Sequence, residues 1–108
     1  MNESILKIIE QIKKINPFKI ILFGSQAWGN PDSESDVDIM VVTLDKHYPK
    51  SFQERNVLYK QVNETILDLR KEIAIDLVVY SKPMYSDFIK SQSLFAKEVE
   101  LKGRVLYG

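Results

Sequence analysis

Two aspartates open the most apolar stretch of this chain: Asp36-Val37-Asp38 runs straight into Ile39-Met40-Val41-Val42. The run from Val37 to Leu44 reads as a strand. Successive side chains of a strand point to opposite faces, so Asp36 and Asp38, two positions apart, emerge on the same face. Two carboxylates side by side repel each other unless a cation sits between them. The simplest resident is Mg²⁺, which takes hard oxygen ligands and arrives with substrate phosphates.

A second feature lies upstream. The apolar run Phe18 to Phe23 ends at Gly24-Ser25, ten residues before Asp36. Gly24 lacks a Cβ, so a phosphate could approach the backbone there. Ser25 to Trp28 has room for one helical turn, whose first amides, those of Ser25 and Gln26, would point at an anion. Ser25 also suits an N-cap, which is compatible with holding phosphate. Ser35 stands directly before the acid pair and is a further candidate for touching the nucleotide. Asp residues commonly cap turns before strands, but the Gly-Ser upstream at this spacing favours a metal-dependent nucleotide site and phosphoryl-group chemistry.

A third acid, Asp76, interrupts Ile73-Ala74-Ile75-Asp76-Leu77-Val78-Val79. A buried, unpaired charge there would be costly. It is either an edge-strand residue facing water or a third ligand on a neighbouring strand. Three carboxylates can hold two Mg²⁺ ions, serving the attacking and the leaving oxygen.

The remaining chain frames these residues. Ile5, Ile8, Ile9, Ile12 and Ile15 fall on one helical face, and Asn16-Pro17 stops that helix. Gly29-Asn30-Pro31-Asp32-Ser33 is a turn signal. Ser51 to Glu54 matches a capping box opening a helix with Leu58, Val62, Ile66 and Leu69 as its stripe. Ile73 to Tyr80 is a third strand. Pro83 suits the first turn of a short helix, Ser93 to Lys102 reads as another helix, and Val105 to Tyr107 as a small final strand. The expected fold is α/β (α+β): a mixed sheet with helices packed on it.

At 108 residues with 44% apolar content, the chain has material for a single domain, 1–108. Fifteen basic residues balance fifteen acidic ones, which argues against direct, electrostatically driven nucleic-acid binding. There is no cysteine, so thiolate metal sites and disulfides are excluded. No apolar run reaches the ~20 residues that span a bilayer, and the N-terminus resembles neither a signal nor a transit peptide; a cytoplasmic location is expected. His47 in a polar loop, Lys82 after the third strand, and the charges Glu54, Arg55, Lys60, Glu64, Asp68, Arg70 and Lys71 read as solvated surface. Trp28 reads as an anchor for its loop.

Gly24-Ser25, ten residues, Asp36-x-Asp38 and a later strand aspartate resemble the nucleotidyltransferase superfamily that includes DNA polymerase beta and kanamycin nucleotidyltransferase. Phe-Gly-Ser-Gln-Ala-Trp-Gly at 23–29 and the closing Glu-Leu-Lys-Gly-Arg-Val-Leu-Tyr-Gly look like the minimal nucleotidyltransferases, which are typically encoded beside HEPN-domain proteins. The resemblance covers essentially the whole chain. It implies a mixed-sheet palm, Mg²⁺-ATP as donor, and transfer of AMP to a hydroxyl with release of pyrophosphate. It further implies an antitoxin that silences a HEPN toxin by placing AMP on a tyrosine. Carried over by position, Asp36, Asp38 and Asp76 are the catalytic, metal-binding residues, and Gly24 and Ser25 hold the triphosphate. Larger relatives carry an extra acceptor-binding domain, for which this length leaves no room. The acceptor is therefore expected from a protein partner in a hetero-oligomer, or the site is completed in a homodimer. A binding-only antitoxin and a small-molecule nucleotidyltransferase of the aminoglycoside type are the alternatives.

Overall fold

The isoleucine face of the N-terminal segment forms α1 (Glu3–Ile12), with the Asn2 side chain accepting from the Ile5 amide as N-cap. A 3-10 turn over Lys13–Ile15 continues it and stops at Asn16, which takes the left-handed conformation. The computed structural model describes residues 2–28 and 36–108. Ser35, the turn expected at 29–33 and the Trp28 side chain lie outside the described residues.

Strand β1 (Lys19–Phe23) follows, then a single helical turn, α2 (Ser25–Trp28), and β2 (Val37–Val42). Strand β2 is shorter than its apolar sequence predicts. Leu44 is exposed, and the Thr43 hydroxyl donates to the Asp45 carboxylate at 2.7 Å, which turns the chain away from the sheet. Helix α3 (Phe52–Asn63) begins at Ser51, whose hydroxyl accepts from the Glu54 amide at 3.1 Å. The return half of this capping box differs from the usual one: the Glu54 carboxylate accepts from the Lys50 amide at 2.9 Å. Ile66 and Leu69 sit beyond α3, in 3-10 turns over Glu64–Ile66 and Leu69–Lys71.

Strand β3 (Ile75–Tyr80) starts two residues later than its apolar run. Helix α4 (Lys82–Ser91) carries Pro83 in its first turn, where a missing N–H costs nothing. Helix α5 (Leu94–Lys102) is capped by the Ser93 hydroxyl, and β4 (Arg104–Tyr107) closes the described fold.

The strands lie in the order β3-β2-β1-β4. β1 pairs antiparallel with β2 and β4, whereas β2 pairs parallel with β3. A parallel neighbour requires a crossover connection, and α3 supplies it. One face of the sheet packs Ile20, Leu22, Ile39, Val41 and Leu77 against Ile8 and Ile12 of α1 and Val62 and Ile66 of the crossover. The other packs Ile21, Phe23 and Met40 against Val99 of α5, with Tyr85 and Phe88 of α4 beside them. The mixed sheet thus has helices on both faces, and its inner strands read as near-continuous apolar runs because both faces are covered.

Candidate functional site

Strand register builds the site. Phe23, the last residue of β1, is the partner of Asp38, and Asp38 is the partner of Asp76 across the parallel pair. Directly opposed residues of neighbouring strands share a face. The two carboxylates therefore stand side by side at one end of the sheet, on the α4–α5 side, in line with Phe23. Asp36 precedes β2 by one residue and is exposed. Asp76 lies on an edge strand and is also exposed, which is how the fold tolerates a charge inside an apolar run.

Gly24 makes this corner. Its φ of +71° is a conformation L side chains rarely adopt, and a Cβ there would collide with the Asp38 carboxylate. The sequence offers phosphate approach as the reason for a glycine; the structure supplies a nearer one. The space a side chain would fill is taken by Asp38 itself, which brings that carboxylate onto the turn after β1.

Asp38 is held above the ordinary carboxylate range, first by burial, then by the charges of Asp76 and Asp36, by a side-chain hydrogen bond with Asp76, and by the charge of Glu98. No salt bridge from a lysine or arginine reaches these acids among the described residues. Oxygen-only and negatively charged, the donor set fits a hard divalent ion such as Mg²⁺. In this conformation no three acid or histidine side chains among the described residues already converge on one metal position. Asp38 and Asp76 stand together at the strand ends, with the exposed Asp36 beside them.

The other candidates separate. Ser25 is exposed at the start of α2, next to Gly24. Gln26 is buried and accepts from the Asn2 side chain at 3.4 Å, tying α2 to the start of α1. Lys82 follows the far end of β3 and lies over the Phe18 ring, 4.5 Å from its centroid, so it is remote from the acids. His47 pairs with Glu54 at 2.8 Å in the loop before α3.

Two residues outside the sequence motif bear on the site. Arg70 is half-buried rather than solvated: it donates to the Ile75 carbonyl at 2.8 Å, to Asn63 at 2.8 Å and to the Tyr59 hydroxyl at 3.1 Å. It thereby clamps the start of β3, beside Asp76. Glu98 on α5 is half-buried and its charge is felt at Asp38. The spacing Phe95-x-x-Glu98 on a helix marks the two as neighbours, but nothing in the sequence says that this face meets the acid pair.

Known proteins share this fold. Residues 3–108 match the family described as "Polymerase beta, Nucleotidyltransferase". A Methanocaldococcus jannaschii protein named "Putative protein adenylyltransferase MJ0141" is 31% identical over 103 residues, spanning 89% of this chain and 99% of that protein. A crystal structure described as a toxin–antitoxin with AMP-PNP contains a chain that is 25% identical, with a TM-score of 0.57, over 99% of this chain and 74% of that one. A toxin–antitoxin MntA–HpeT structure is similar over 100% of this chain and 74% of its own, at 24% identity and a TM-score of 0.51, a likeness of fold alone. No described helix is long and apolar enough to cross a membrane.

Proposed function

The chain belongs to the polymerase beta nucleotidyltransferase family, and on that premise we propose that it transfers AMP from Mg²⁺-ATP to a tyrosine hydroxyl of a HEPN-domain toxin, acting as its antitoxin. The observation that carries the reading is the Asp38–Asp76 pair, set in register across parallel strands and pressed against the Gly24 turn. The relative named as a protein adenylyltransferase supports AMP as the transferred group and a protein as the acceptor. The toxin–antitoxin with AMP-PNP supports an ATP-like donor and a toxin partner.

In this reading Asp36, Asp38 and Asp76 hold the metal. A divalent ion held by these carboxylates would supply neutralisation of the charge on the phosphate oxygens. The turn at Gly24-Ser25 positions the triphosphate. The acceptor oxygen attacks the α-phosphorus, a new O–P bond forms, the bond to the β-phosphate bridging oxygen breaks, and pyrophosphate leaves. Asp76 takes the hydroxyl proton. Catalysis of this kind is mostly positioning and electrostatics, and strand register sets Asp38 opposite Asp76. Ser35 is assigned to the nucleotide by its place before Asp36.

The test is incubation of the chain with labelled ATP, Mg²⁺ and a candidate HEPN-domain partner protein, followed by mass spectrometry of both chains. One or more AMP units on a partner tyrosine are expected, and none with Asp36→Asn, Asp38→Asn. If that double variant neutralises the toxin as well as the parent while no AMP ever appears on the partner, inhibition is by binding alone.

A further inference from the structure

The turn after β1 is held from two sides. On one side the Asp38 carboxylate fills the space beside Gly24. On the other, the Gln26 side chain reaches from α2 to the start of α1, where its oxygen accepts from the Asn2 side-chain amide at 3.4 Å. Ser25 stands between the two anchors and is exposed.

Gln26 is only 7% exposed. Burying an amide is costly unless it is hydrogen-bonded, and an alkyl side chain would fill the same space without that cost. The direction of the Asn2 bond is set by helix α1. The Asn2 oxygen already accepts from the Ile5 amide at 2.9 Å as the α1 N-cap. Its NH₂ must therefore face away from the helix, and only the oxygen of Gln26 can answer it. Helix α1 is itself seated by buried Ile5, Ile8 and Ile12. A line of contact thus runs from the core through α1 and Asn2 to Gln26, across 24 residues of sequence.

Helix α2 needs such a reference. It has four residues, too few to hold a helical conformation alone. The Ala27 amide closes it by donating to the Gly24 carbonyl at 3.1 Å, so any rotation at Gln26 is passed to Gly24 and Ser25. Neighbouring helical residues point about 100° apart. Drawing Gln26 in toward α1 therefore leaves Ser25 facing out.

We propose that Gln26 is a positioning residue for AMP transfer: through Asn2 it ties the Gly24-Ser25 turn to α1 and so fixes where the triphosphate sits. This rests on the reading above, in which that turn holds the triphosphate, and it extends the working site to the first turn of α1. Gln26 and Asn2 act through the turn rather than by touching the nucleotide.

The experiment compares the parent, Gln26→Met, Asn2→Ser and the double variant. Mg²⁺-ATP affinity is read by calorimetry, folding by melting temperature, and AMP transfer on a candidate HEPN-domain partner protein. Methionine fills the glutamine volume without the amide. Serine caps a helix as well as asparagine but is too short to reach Gln26. Each single variant should raise the Kd and the KM for Mg²⁺-ATP about 3- to 10-fold, the worth of one hydrogen bond between uncharged groups, and leave the KM for the partner unchanged. In the Gln26→Met background, Asn2→Ser should add nothing, because the bond it breaks is already gone. A lower melting temperature with unchanged Mg²⁺-ATP affinity would make Gln26 a stabilising residue only and overturn the proposal. Effects that multiply in the double variant would show that the two residues act separately, and overturn it as well. A parent that binds Mg²⁺-ATP no more tightly than its Asp36→Asn, Asp38→Asn variant defeats the nucleotide reading itself, and this inference with it.

Discussion

Gly24 and Asp38 occupy one another's space: the carboxylate of Asp38 lies where a side chain at Gly24 would begin. The turn after β1 and the second acid of the Asp-x-Asp pair are therefore a single structural unit rather than two motifs that happen to be near. A change at either one is a change at both.

Gly24→Ala is expected to act through this contact. The left-handed backbone at φ +71° penalises alanine by roughly 1–2 kcal/mol. The added methyl also pushes Asp38 off its position, and misplacement by about 1 Å costs about 100-fold in rate. Melting curves and AMP-incorporation assays should show a modest loss of stability beside a large loss of transfer. Full transfer by Gly24→Ala would separate the turn from the reaction.

Asp38→Asn should reveal the cost of clustering acids. Burial and the neighbouring charges raise the Asp38 pKa in the folded chain. A raised carboxylate binds its proton more tightly when folded, so it destabilises the fold above its pKa and this penalty disappears on acidification. Without divalent metal, Asp38→Asn should melt higher than the parent at pH 7, and the gap should close as pH falls. Mg²⁺-ATP at 100 times its Kd should stabilise the parent by about 2.7 kcal/mol and the variant far less. Equal Mg²⁺-ATP shifts in the two proteins would place the ligand elsewhere.

Arg70→Met tests the clamp on β3. The substitution keeps much of the side-chain volume but removes the hydrogen bonds to Ile75, Asn63 and Tyr59. Charged hydrogen bonds contribute about 1.5–3 kcal/mol each, so a loss of a few kcal/mol is expected. Hydrogen exchange should speed up first at the amides around Asp76. Protection there equal to the parent's would show that β3 is held by the sheet alone.

Glu54 provides the opposite pH dependence to Asp38. The Lys50 amide and then His47 hold its carboxyl below the ordinary range. A depressed carboxylate stabilises the fold above its unfolded pKa, and that contribution is lost as pH falls through the folded one. The melting-temperature advantage of the parent over Glu54→Gln should thus be full at pH 7 and be lost as pH falls below the ordinary carboxylate range. An advantage that persists into acid would mean that the carboxylate charge is not what secures the loop before α3.

The strands and helices were legible because their signals are local. Ser51 caps α3, Ser93 caps α5, and apolar runs form β1 to β3, each for reasons contained within a few residues. The boundaries shifted where a side chain intervened: Thr43 ends β2 by bonding to Asp45, and Arg70 holds the chain until Ile75. The pairing of Asp38 with Asp76 is a matter of register between distant segments, and alternation alone says only which face each acid takes within its own strand. Lys82 and Glu98 escape such a reading because Phe18 and Asp38, which they meet or influence, lie far away in sequence; Arg70 bonds only to nearby Tyr59, Asn63 and Ile75 and is hidden instead by the charged residues around it.

The parallel pairing of β2 with β3 has a consequence for the timing of folding. Asp38 meets Asp76 only after the whole crossover through α3 is made, and such non-local pairings pay their loop-closure entropy before contacts reward them. The antiparallel β1–β2 neighbour can form earlier and brings Gly24 to Asp38 on its own. A nascent chain that has emerged only through β2 thus carries the turn and the Asp38 carboxylate without Asp76 opposite it. The β1–β4 pairing, which joins Ile20 to Tyr107, is more distant still in sequence, so by the same reasoning the two carboxylates meet before the sheet is complete.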